Sequence, residues 1–206
     1  MTRLGNGVFA TKRLSDAAMS RALDVLKTLV TLARNKGFDR IVAVATSAVR
    51  EAQNGGDFVS LLMEQMGLRV KVISGTEEAR LIFLGVKHSS ALPDGPTLVV
   101  DIGGGSVELI VGNRDGLIHG KSLKLGAIRL AEQCLTKTPP SESMMRALKQ
   151  IVLTELRDAL GCFKMNKFHS LVATSGMAGN VGEVIHLRHT GRPLPQLNLA
   201  TVSLKD

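Results

Sequence analysis

The chain has 206 residues, 44% of them apolar and 21% charged, which supports a packed core and excludes a disordered chain. Aromatic residues make up 3%, with no Trp and no Tyr, and this argues against a single-strand nucleic-acid platform, where bases stack on rings. A net charge of +8 favours a polyanionic partner. No apolar run reaches the roughly 20 residues that a membrane helix needs. Cys134 and Cys162 stand apart without CxxC spacing and read as free thiols, so the expectation is a soluble, cytoplasmic protein with no membrane partner.

Residues 1–14 hold no complete element, with Leu4-Gly5 read as the tail of a strand. Ser15 and Asp16 start a helix that Leu23, Leu26, Val30 and Ala33 continue at helical spacing until Gly37. The run at 40–46 (RIVAVAT) predicts a parallel strand buried on both faces. A helix over 57–66, a strand over 69–73 and a helix over 76–87 follow, an α/β alternation that points to a parallel sheet with crossover helices. Residues 90–96 carry two prolines, an Asp and a Gly, and read as a join between two lobes, 1–89 and 90–206. Strands are predicted over 97–102, 106–112 and 117–124, turned by Gly103-Gly104-Gly105 and by residues 113–116. Helices over 127–135 and 141–160, a strand over 168–174 and a helix over 176–187 complete the pattern. That order resembles the repeating unit of the actin, sugar-kinase and heat-shock ATPase fold. The fold class is therefore α/β, actin-like and two-lobed, with the first lobe lacking its N-terminal strands. A strand at 40–46 without those neighbours presents an open edge, a route to homodimer formation.

The stretch Asp101-Ile-Gly103-Gly104-Gly105-Ser106-Val-Glu108 carries the clearest chemistry. Three glycines between strands let backbone N–H groups approach an anion, and Ser106 adds a hydroxyl. Asp101 and Glu108 set two carboxylates near that turn, hard donors suited to a hydrated Mg²⁺ that bridges phosphate oxygens. Glu77 and Glu78 also suit the first turn of a helix, where acids complement the dipole. His186 and His189 lack further ligands for a metal, and Met144 and Met145 read as packing for the long helix.

Four stretches resemble, in order and spacing, successive motifs of the exopolyphosphatase / guanosine pentaphosphate phosphohydrolase (Ppx/GppA) family. They are ATSAVREAQN (45–54), VISGTEEARLIFLGV (72–86), LVVDIGGGSVELIVG (98–112) and LKLGAIRLAE (123–132). The resemblance implies a Mg²⁺-dependent hydrolase that releases terminal phosphate from polyphosphate or guanosine pentaphosphate. Glu78 would be the base that activates water, Gly103, Gly104, Gly105 and Ser106 the phosphate cradle, Asp101 and Glu108 the metal acids. Arg50 would contact phosphate through its guanidinium fork, and Arg129 would be structural or interlobe rather than catalytic. Thr174-Ser175-Gly176 falls where the family turns into a helix that could receive phosphate, although Met177 replaces the usual Thr. Relative to the family the chain reads as shortened at both ends, without an earlier Asp-x-Gly-Ser-Asn-Ser type loop. Rival readings are a non-catalytic polyphosphate or alarmone-binding module and an actin-like ATPase or kinase; specific nucleic-acid binding is not expected.

Overall fold

The computed structural model describes residues 2–89, 92–163 and 168–194. The chain forms two compact units, Met1–Glu78 with Ala127–Ile151 and Ala79–Gly126 with Val152–Asp206.

The first unit opens with a turn over residues 4–7 and a short helix α1 (Val8–Thr11). Leu4-Gly5 is thus part of a turn, not the tail of a strand. Val8 and Phe9, almost fully buried, hold α1 in a core with Leu14. Helix α2 (Asp16–Asn35) starts where Ser15 Oγ accepts the Ala18 N–H at 3.3 Å, the bond expected of an N-cap serine. Strands β1 (Ala43–Ala45) and β2 (Val70–Val72) pair in parallel, with Ala43 opposite Val70. Between them lie α3 (Ser47–Glu51) and α4 (Gly55–Met66), whose Phe58, Leu62 and Met66 enter the same core. Buried Asn54 ties this core to the chain start: its Oδ1 accepts the Leu14 N–H at 2.8 Å and its Nδ2 donates to the Leu14 carbonyl at 2.9 Å.

The strand expected over 40–46 is shorter and more open than its sequence implies. Val42 is 74% exposed and Val44 51%. A strand is buried on both faces only inside a wider sheet with helices on each side, and among the described residues β1 pairs with β2 alone.

Helix α5 (Gly75–Ser89) starts in the first unit and continues into the second. The second unit is built on a four-stranded sheet of β3 (Thr97–Ile102), β4 (Val107–Gly112), β5 (Leu117–Leu123) and β6 (Ser170–Thr174), in the order β5-β4-β3-β6. β3 is antiparallel to β4 and parallel to β6, so the join from β3 to β6 needs long intervening chain, which includes α6 (Ala127–Cys134) and α7 (Glu142–Phe163). Helix α8 (Ser175–Thr190) follows β6 directly. Ala79, Phe83 and Val86 of α5 pack against Val99 and Ile110 of the sheet. Gly112 permits this approach, because a Cβ there would lie 2.3 Å from the Phe83 ring.

These units differ from the expected 1–89 and 90–206 division, and side-chain partners explain why. The apolar side chains of α5 from Ala79 onward belong to the four-stranded sheet. Arg129 and Glu132 of α6 find their partners, Glu51 and the Gly7 N–H, in the first unit. Met145, expected to pack the long helix, is 46% exposed. The side chain of Cys162 and the C-terminal residues from 195 onward lie outside the described residues. No helix among the described residues is long and apolar enough to cross a membrane.

Candidate functional site

In the first unit, Ser74 caps α5: its Oγ accepts the Glu77 N–H at 3.1 Å and its carbonyl accepts the Glu78 N–H at 2.9 Å. The cap places both glutamates in the first helical turn. Arg50, from the end of α3, donates from Nη1 to the Ile73 carbonyl at 2.7 Å and to Glu78 Oε2 at 3.1 Å. Both side chains are mostly buried, with 24% of Arg50 and 14% of Glu78 exposed. Arg50, expected to touch phosphate, is here bonded to Glu78. Arg129 is structural in its contacts: it is buried, pairs with Glu51 and lies 4.1 Å from the Phe9 ring centroid.

In the second unit, register builds the site in rows. On a sheet every second residue shares a face. Val172, Val99, Ile110 and Gly120 line up across the four strands, and one step further Thr174, Asp101, Glu108 and Ser122 do the same. The first row carries core residues that pack with α5. The second is polar throughout and sits beside the 103–106 turn. Asp101 and Glu108 are direct partners on antiparallel strands, which sets their Cβ atoms about 5 Å apart. Glu108 is 1% exposed, and its Oε1 accepts from Ser122 Oγ at 2.7 Å. Asp101 Oδ2 accepts from Thr174 Oγ1 at 2.5 Å.

The Gly103 N–H donates to the Ser106 carbonyl at 3.0 Å, closing a tight turn over Gly104-Gly105. Gly103 and Gly104 are half-buried, whereas Gly105 and Ser106 are buried. The open part of this turn is therefore its first half, and the Ser106 hydroxyl is less available than its sequence position implies. Gly126 backs the turn. A Cβ on residue 126 would stand 2.3 Å from the Gly105 carbonyl carbon and 2.4 Å from the Gly104 carbonyl carbon and oxygen.

The description of the Ppx/GppA phosphatase family fits residues 1–201, nearly the whole chain, and takes in both of these clusters. The chain belongs to the Ppx/GppA phosphatase family. Exopolyphosphatase 2 of Mycobacterium tuberculosis is 31% identical over 181 residues, covering 85% of this chain and 56% of that protein. The crystal structure of an exopolyphosphatase-like protein superposes with a TM-score of 0.82 at 30% identity, over 91% of this chain and 61% of that one. An exopolyphosphatase from Cytophaga hutchinsonii gives 0.79 at 30% identity, over 93% and 61%. The chain spans about half the length of the curated relatives it matches. The α/β, actin-like fold class expected from element order holds for this Ppx/GppA chain.

Of the residues singled out in sequence, Asp101, Gly103, Gly104, Gly105, Ser106 and Glu108 come together at one end of the sheet. Glu78 and Arg50 come together in the first unit. Gly126 and Ser122 were not assigned to the site from sequence, and Thr174 only as part of a turn that could receive phosphate. Their signal lies in strand register, which pairs Ser122 with Glu108 and Thr174 with Asp101. Among the described residues there is no group of three or more His, Cys, Asp or Glu that could hold a metal.

Proposed function

We propose that this chain hydrolyses terminal phosphoanhydride bonds of inorganic polyphosphate. The observation that carries the proposal is the family match over residues 1–201, spanning the Gly103–Ser106 turn, its two acids and the Arg50–Glu78 pair. Curated relatives named exopolyphosphatase favour polyphosphate over guanosine pentaphosphate as substrate. A net charge of +8 suits a long polyanion.

Glu78 is assigned the base. It accepts a proton from water as the water oxygen attacks the terminal phosphorus, and the bridging oxygen leaves with the shortened chain. Arg50 binds Oε2 of Glu78 and so fixes the carboxylate, leaving proton transfer to Oε1. The backbone of Gly103 and Gly104, without side chains, receives phosphate oxygens.

Asp101 and Glu108 fit Mg²⁺ as a partner. These two adjacent carboxylates would supply hard oxygens to the ion without a closed protein cage. When bound there, it supplies positive charge against the phosphate oxygens.

Phosphate release from long-chain polyphosphate with Mg²⁺ tests the proposal, with Glu78→Gln as the comparison. Release by the wild type that falls at least about 10²-fold in the variant supports a Glu78-based hydrolase. A folded protein that binds polyphosphate and releases no phosphate would refute hydrolysis and leave the binding-module reading.

A further inference from the structure

We infer that Thr174 is a positioning residue for Asp101, which makes β6 part of the phosphate site's metal-binding machinery; the inference rests on the proposed role of Asp101 in holding Mg²⁺. Thr174 is the last residue of β6 and the parallel partner of Asp101 on β3. Its hydroxyl donates to Asp101 Oδ2 at 2.5 Å, the short distance of an O–H bond to a charged carboxylate. A β-branched side chain in a strand has a stiff χ1, so this donor holds its direction with little entropy to lose.

The next residue fastens the same junction. Ser175 takes a left-handed backbone, φ 76°, and its hydroxyl donates to the Ile102 carbonyl at 2.5 Å. Two consecutive hydroxyls thus tie the start of α8 to the end of β3, one at the side chain of Asp101 and one at the backbone beside it. A left-handed backbone is unfavourable for serine, and the bond to Ile102 helps hold it there. The junction therefore cannot drift away from Asp101 without giving up both bonds.

Across the sheet, Ser122 Oγ donates to Glu108 Oε1 at 2.7 Å. The acid pair is flanked on both sides by hydroxyls from the neighbouring strands, in one row of four residues. Each hydroxyl engages one oxygen of its carboxylate and so sets the plane of that carboxylate. Outer-shell partners of metal ligands act in this way, and their loss typically lowers metal affinity 10–100-fold.

The test is a calorimetric titration of the full chain with Mn²⁺ as a Mg²⁺ stand-in, for the wild type and for Thr174→Val, Thr174→Ser and Asp101→Asn, with a melting curve for each. Valine keeps the shape of threonine and removes the donor; serine keeps the donor. The expected result is that Asp101→Asn abolishes binding, Thr174→Val weakens it at least about tenfold and Thr174→Ser stays within about threefold of wild type. Should Thr174→Val melt early, the serine variant carries the decision. Serine binding as weakly as valine, or valine binding like wild type while Asp101→Asn does not bind, would overturn the inference and leave Asp101's role intact. A wild type that binds no better than Asp101→Asn would overturn the metal role and the inference together.

Discussion

Replacing Gly126 with Ala tests whether the Gly103–Ser106 turn is held in place from behind. The added Cβ would start 2.3–2.4 Å from backbone atoms of Gly104 and Gly105, whereas carbon contacts normally begin near 3.4 Å. The neighbouring atoms are main chain, so no flexible side chain can swing aside. The turn or residue 126 must retreat by about 1 Å. Overpacking of this kind costs about 1–3 kcal/mol of stability, and an error of about 1 Å in a substrate-positioning group can cost on the order of 10²-fold in rate. The expected result for Gly126→Ala is a folded protein with modestly lower melting temperature and kcat/KM for polyphosphate reduced on the order of 10²-fold. Phosphate-release kinetics with circular dichroism as a folding control measures both. Wild-type kcat/KM in a variant of wild-type stability would refute the claim that Gly126 sets the turn.

Arg50→Lys should lower kcat about tenfold with KM nearly unchanged, since a lysine cannot reproduce the Ile73 and Glu78 bonds together and one hydrogen bond to a charged group is worth about 1.5 kcal/mol or more. A rise in KM at constant kcat would instead assign Arg50 to direct phosphate contact. Arg129→Ala should destabilise the protein by about 3 kcal/mol in urea denaturation, because it removes a buried guanidinium that pairs with half-buried Glu51 and stacks on Phe9. The double change Arg129→Met with Glu51→Met should recover most of that loss, and a double variant as unstable as Arg129→Ala would show that packing and not charge pairing dominates.

What could be read from sequence, and what could not, divides along local and non-local physics. The 101–108 motif was legible because its meaning is local: an acid ending one strand, glycines for the turn, an acid two residues into the next. Antiparallel pairing then leaves no choice but to set Asp101 opposite Glu108. The start of α2 was legible for a similar reason, since Ser15 and its helix are neighbours in sequence. The short α1 was not, because four residues have almost no intrinsic helical stability and are held by burial of Val8 and Phe9. What Thr174 does for Asp101, and Gly126 for the turn, was illegible for a further reason, although Thr174 itself stood out. Each lies far along the chain from the residue it serves, 73 positions in the case of Thr174 and Asp101, and the sequence says nothing local about which strand will lie beside β3. The same applies to Arg50. Its place in the 45–54 motif points to a phosphate contact, and the fold also brings it to Glu78 from 28 positions away. Residues that touch substrate leave a local signature of composition; those that hold them in position are defined by register, and register is a property of the assembled sheet.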